Sequence, residues 1–245
     1  MKRIKLVVAY DGTNYCGWQI QPVAVTVEKV LNESISKLTG EEIKVTGASR
    51  TDSGVHAYGN VAVFDTGSTI PGDRFSYALN SILPDDIVIQ DSSEVPADFH
   101  PRHCDTKKTY EYKIMNRKFA IPTKRLDSYF YPYTLDINAM NEAGQYLVGE
   151  HDFKSFCSIK TQTETTVRTI YSVNVKKHED IVSIIVQGNG FLYNMVRIIA
   201  GTLIQVGNGQ IEPSEVKQML ESCDRTTAGP TAPPEGLTLV GIEYL

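Results

Sequence analysis

The four cysteines of this sequence, Cys16, Cys104, Cys157 and Cys223, are far apart, with no C-x-x-C pair and no clustered histidines to complete a zinc shell. That spacing argues against a metal site and favours reduced structural thiols. A basic-plus-apolar leader is also missing: "MKRIKLVVAYDG" passes directly into an alternating strand pattern and a turn, so a cytoplasmic location is expected. No run is long enough to span a membrane. The most apolar stretch, residues 191–206, falls short of the ~20 residues a span needs and contains Asn194, Arg197 and Gln205. Cationic excess is lacking too, and the net charge of −5 argues against a nucleic-acid surface spread evenly over the protein.

What is present is the composition of a globular protein, 41% hydrophobic and 22% charged over 245 residues, enough for one large domain or two small ones. The charge is uneven. Between Pro101 and Leu126, eight Lys or Arg stand against Asp105 and Glu111, a local charge of +6 that leaves −11 for the remainder. A basic stripe on an acidic protein suits one defined contact face for a polyanion, since screening limits its reach to about 8–10 Å. A merely solvated strand and loop suits it equally well.

The hydrophobic spacing alternates between strands and helices in both halves. "IKLVVAY" reads as a strand, and "TVEKVLNESISKLTG" as a helix capped by Thr26 and stopped at Gly40. "EEIKVTGAS" and "GNVAVFDT" read as strands, "PGDRFSYALNSIL" as a helix, and "DIVIQDSSEV" as a strand. The second half repeats this texture: strand "TYEYKIM", helix "DINAMNEAGQYLVG", strands "TIYSVNVKKHE" and "DIVSIIVQGNG", a helix over 191–206, helix "PSEVKQMLES" and a final strand "LTLVGIEYL". The expected fold is α+β: two related halves, residues 1–103 and 104–245, with antiparallel sheets covered by helices on one face.

Three positions carry candidate chemistry. Arg197 is the only charged residue between Ile181 and Ile211, on a helix apolar on nearly every face. A guanidinium cannot shed its proton, so burial there would demand an anion; the alternative is an arginine that snorkels at a helix edge. Asp52 lies in "ASRTDSGVHA", a polar run between two strands, where Gly54 permits a tight backbone; by itself it also fits an Asx-turn that shapes a loop. Tyr110 shares a strand face with Tyr112 and Ile114, as either a core tyrosine or a base-stacking platform.

Taken together, "YDGTNYCGWQIQP", "GASRTDSGVHA", "LPDDIVI", "DFHPRHCDTKKTYEYKI", "GEHDFKSF", "NGFLYNMVRIIAGTLIQVG" and "APPEGLTLVGIEY" resemble the tRNA pseudouridine synthases of the TruA type, in that family's order and almost end to end. The resemblance implies two pseudo-symmetric ferredoxin-like halves around a central cleft, a homodimer, no cofactor, and isomerisation of uridine at positions 38, 39 and 40 of the tRNA anticodon arm. It makes Asp52 of the R-T-D-x-G-V-H motif the catalytic residue, Arg50 a nucleotide contact, Tyr110 a residue against the target base, and Arg197 the partner of the catalytic carboxylate. Ser49 stands where the family usually has glycine and Ser53 where alanine is usual. A left-handed backbone at residue 49 would cost a serine about 1 kcal/mol. Two rivals share the same residues: a tRNA-binding module without chemistry, and a synthase with other RNA targets.

Such a reaction breaks the bond from N1 of uracil to ribose, turns the base and joins C5 to the same carbon, without change of composition. A carboxylate serves it either as a nucleophile or by helping to remove a ribose proton, and an adjacent Arg197 would favour the ionised form of Asp52. Extracting the stacked base costs a few kcal/mol, which Tyr110 would offset by stacking and Arg50 by holding the vacated space. Arg102, Lys107 and Lys108 would hold tRNA through phosphates, leaving selection mainly to tRNA shape. His56 is expected to be structural.

Overall fold

The structure, a computed structural model, describes residues 1–158 and 165–245. Its contacts divide the chain into two compact units, Met1–Asp105 with Leu239–Leu245, and Thr106–Thr238.

In the first unit, β1 (Lys2–Tyr10) alternates buried and half-buried residues along "KRIKLVVAY", the period-two pattern of a strand with one covered face. Helix α1 (Val27–Thr39) begins at Thr26, whose hydroxyl accepts from the Lys29 amide, and ends at Gly40 in the left-handed region at φ 73°. It buries Val27, Leu31 and Ile35, which recur at helical spacing. β2 (Thr46–Gly47) is short, and β3 (His56–Thr66) runs antiparallel to both β1 and β2. Helix α2 (Phe75–Asn80) follows a single 3₁₀ turn, and β4 (Ile87–Val95) closes the order β4-β1-β3. Ile4, Leu6, Val8, Phe64 and Phe75 form the core, with the last two rings edge to face at 5.3 Å. Between Val8 and Tyr10 the β1–β3 register slips by a bulge, a device that re-aims a side chain at a strand end.

In the second unit, β5 (Thr106–Met115) pairs in parallel with the two-residue β6 (Tyr129–Phe130). Helix α3 (Ile137–Gln145) is capped by the Asp136 carboxylate, which accepts from the amides of Asn138 and Ala139. β7 (Gly149–Asp152), β8 (Val167–His178) and β9 (Ile181–Gly188) complete an antiparallel order β5-β9-β8-β7. Helix α4 (Met195–Gly207) is buried at eleven of its thirteen positions, and α5 (Glu215–Ser222) follows. Among the described residues no helix is long and apolar enough to cross a membrane.

β10 (Leu237–Tyr244) ends the chain, and its residues from Leu239 onward cluster with the first unit, beside β3. Division at residue 103 would place them with the second half. The reason is long-range bonding: the Leu245 amide donates to the Asp105 carbonyl, the Tyr244 hydroxyl donates to the Pro101 carbonyl, and the Tyr244 ring lies 5.2 Å from Phe99.

Candidate active site

Residues 48–55 leave β2 and return into β3 as a loop whose backbone is fixed on both sides of Asp52. On one side, Thr51 accepts from the Trp18 amide through its carbonyl (3.0 Å) and shares a 2.7 Å hydrogen bond with the Tyr10 hydroxyl. Ser49 is held by Asn60: its amide donates to Asn60 Oδ1 (3.2 Å), while Asn60 Nδ2 donates to its carbonyl (3.0 Å) and to the Tyr10 hydroxyl (3.4 Å). On the other side, the Val55 amide donates to the Asp52 carbonyl, closing a turn at Gly54, whose φ of 78° is a conformation that glycine adopts without strain. The Tyr15 carbonyl accepts from both the Gly54 amide and the Ser53 hydroxyl, each at 3.2 Å.

The two unusual serines are thereby accounted for. Ser49 does not have positive φ, so the left-handed penalty does not arise, and Ser53 contributes a hydrogen bond that alanine lacks.

Asp52 is half-buried in this frame and Arg50 is exposed beside it. Arg102, also exposed, lies near enough to Arg50 to feel its charge. Partial desolvation and the Arg50 cation lower the Arg102 pKa from its ordinary value, with Glu28 acting in the opposite sense. One loop therefore presents a carboxylate and a cation, with a second cation gathered beside it. Two like charges held close suit a polyanion.

His56 is buried: its Nδ1 accepts from the Gly12 amide (3.1 Å) and stands 3.1 Å from an Asp11 carboxylate oxygen, while its Nε2 has no hydrogen-bond partner among the described residues. It ties the 11–17 segment to the root of the Asp52 loop.

The second unit holds the remaining candidates. Tyr110, 7% exposed, sits on β5 with its ring edge-on to Phe191 at 5.1 Å, and Lys107 and Lys108 are half-buried on the same strand. The neighbouring Tyr112 is fully buried, and its hydroxyl donates to the Pro233 carbonyl at 2.9 Å. Burial and the Glu235 carboxylate raise the Tyr112 pKa, while Arg197 acts in the opposite sense. Arg197 stands on α4. It is half-buried, because α4 starts at Met195 and places it in the first turn, and its guanidinium donates to the Ala232 carbonyl (2.8 Å) and to Asn194 Oδ1 (2.9 Å). Neutral oxygens thus take part of the bonding that full burial would have demanded of an anion.

Comparison with known proteins decides the family. A family model described as tRNA pseudouridine synthase matches residues 6–103 and 143–245. The tRNA pseudouridine synthase A of Ruminiclostridium cellulolyticum is 53% identical over 245 residues, and that of a Thermoanaerobacter species 50% identical over 244, each covering 100% of both chains. The Clostridium acetobutylicum protein of the same name is 48% identical over 244 residues, again covering 100% of both chains. This chain belongs to the tRNA pseudouridine synthase family.

Membership gives the Asp52 loop a chemical context, but the residues that frame it were not singled out from the sequence. Tyr10, Tyr15 and Trp18 lie within "YDGTNYCGWQIQP", where spacing alone points to no role for them. Asn60 carried a signal of its own: a lone amide in "GNVAVF", which is otherwise apolar, is buried polar chemistry that demands partners.

Proposed function

We propose that this protein isomerises uridine to pseudouridine at positions 38, 39 and 40 of the tRNA anticodon arm, as a cytoplasmic homodimer and without a cofactor. Asp52 is the reacting carboxylate. The observation that supports this most directly is a half-buried aspartate on a loop fixed at residues on both sides, in a chain about half identical to synthases over its whole length. Rigid presentation of the reacting group is what positional catalysis needs.

In this reading Arg50 holds the space from which the base is withdrawn, Tyr110 meets the extracted base, and Arg197 keeps the carboxylate ionised. Arg102, Lys107 and Lys108 hold phosphates. The Arg50–Arg102 repulsion in the free protein supports a phosphate contact there, since an anion between two cations relieves it. Tritium release from tRNA labelled at uridine C5 tests the assignment, because C5 exchanges its hydrogen for the sugar bond. Asp52→Asn is expected to abolish release while tRNA binding stays within twofold, and normal turnover by that variant would refute it. Mapping of pseudouridines in RNA from cells without the protein tests the target positions.

A further inference from the structure

Besides the turn closed by the Asp52 carbonyl, the 53–54 side of the Asp52 loop is tied to a separate segment at one acceptor. The Tyr15 carbonyl takes the Ser53 hydroxyl and the Gly54 amide at 3.2 Å each, so both residues that follow Asp52 hang on the same peptide oxygen. That peptide is held at its amide, where the Cys16 N–H donates to the Val25 carbonyl at 2.9 Å, and from the side through the Tyr15 phenol. The Tyr15 ring is 6% exposed, and its hydroxyl donates to Asp86 Oδ1 at 2.6 Å, a charge-assisted bond. Asp86 grips the same segment a second time, because its carbonyl accepts from the Asp11 amide at 3.0 Å. Burial, followed by the Asp86 carboxylate, raises the Tyr15 pKa and keeps the phenol in its donating form.

We propose that Tyr15, clamped by Asp86, is a positioning residue for Asp52, setting the carboxylate's place in the site without touching the substrate. The proposal rests on the reading of Asp52 as the reacting group. Its physical content is that a displaced Tyr15 peptide loosens two hydrogen bonds at once, at the residues next to the acid. A displacement of about 1 Å at a reacting group costs on the order of 100-fold in rate.

Single-turnover tritium release, tRNA binding and thermal unfolding are measured together on four variants. Tyr15→Phe is expected to lower the chemical rate roughly 10- to 100-fold, in keeping with a displacement of up to about that size, with KM and tRNA affinity within twofold. Asp86→Asn keeps an oxygen to accept the phenol and is expected to retain at least half the rate. Tyr15→Phe/Asp86→Leu removes both the donor and the stranded carboxylate, so it recovers the thermal stability lost by Tyr15→Phe alone but not the rate. Recovery of rate along with stability would reduce Tyr15 to a folding role and overturn the proposal, as would a Tyr15→Phe enzyme of unchanged rate. Asp52→Asn separates the two levels. Turnover by that variant overturns the reading beneath, whereas its inactivity beside a fully active Tyr15→Phe overturns the positioning role alone.

Discussion

Replacement of Asn60 by alanine is the most demanding stability test of the loop. Asn60 is 0% exposed and Ser49 5%, so the two backbone groups that Asn60 satisfies have no solvent to turn to. Asn60→Ala strands the Ser49 amide and carbonyl together. Each stranded buried group costs about 1–3 kcal/mol, and partial entry of water into the vacated space reduces the sum to about 3 kcal/mol. For a chain of this length 1 kcal/mol moves the unfolding midpoint by about 2–4 °C, so the expected fall is about 6–12 °C. Thermal unfolding followed by circular dichroism reads this directly.

Asn60→Asp sharpens the test through its pH dependence. The new carboxyl still accepts from Ser49, but while ionised it cannot donate to the Ser49 carbonyl and is a buried charge, which raises its pKa. Protonation supplies the missing donor, so the deficit of Asn60→Asp relative to wild type shrinks as pH is lowered from 8 toward about 5. A midpoint change under about 2 °C for Asn60→Ala, or a deficit of Asn60→Asp that does not vary with pH, would show that Asn60 does not hold Ser49 in place.

Three further outcomes follow from other contacts. A Cβ on Gly12 would run into the Val55 carbonyl at the return of the Asp52 loop, so Gly12→Ala is expected to lower tritium release by at least about tenfold, on the scale of misplaced reacting groups, with far-UV circular dichroism unchanged. Arg102→Ala is expected to weaken tRNA binding and to reduce the slope of log affinity against log salt by about 0.7–0.9, one phosphate contact, as read by filter binding from 50 to 200 mM salt. The two-pronged bond from Arg3 to Asp65, at 2.8 and 2.7 Å, holds the Asp65 pKa below 3.8 against the opposing effect of desolvation. A depressed carboxyl pKa stabilises the fold above the unfolded value and loses that contribution as pH falls through the folded one. Arg3→Gln is therefore expected to flatten the acid limb of urea stability below about pH 4, and an unaltered limb would contradict the assignment.

The sequence disclosed most where the signal is local. Helix α1 lies within a residue of its expected limits because Thr26 and Gly40 are both chemically suited to the ends they occupy. The helix expected over 191–206 begins instead at Met195, because Asn194 adopts a left-handed backbone at φ 61° and turns the chain with no glycine or proline to announce it. Strands β6 and β7 were missed because "YF" and "GEHD" have little propensity of their own and are extended through their register with β5 and β8. At the site, the motif pointed to Asp52, but its framework joins residues 41 and 50 positions apart, Tyr10 to Thr51 and Tyr10 to Asn60, and no spacing rule reaches so far.

That framework explains why the acid stands on this loop instead of a simple hairpin turn. A two-residue turn fixes the path of the chain through its own ends, and its tip then moves with the strands. Here the backbone on either side of Asp52 is bonded to a separate segment, residues 10–18, which is itself plugged from beneath. Trp18 is 1% exposed, its ring lies 5.9 Å from Tyr10, and a Cβ on Gly47 would collide with the indole, so only glycine at residue 47 lets the ring sit under the loop. The same tryptophan donates to Thr51 through its amide and accepts from Glu28 at the start of α1 through its carbonyl. The acid's position is thus coupled to helix, strand and core together, and a change that loosens Trp18 is expected to lower turnover before it unfolds the protein.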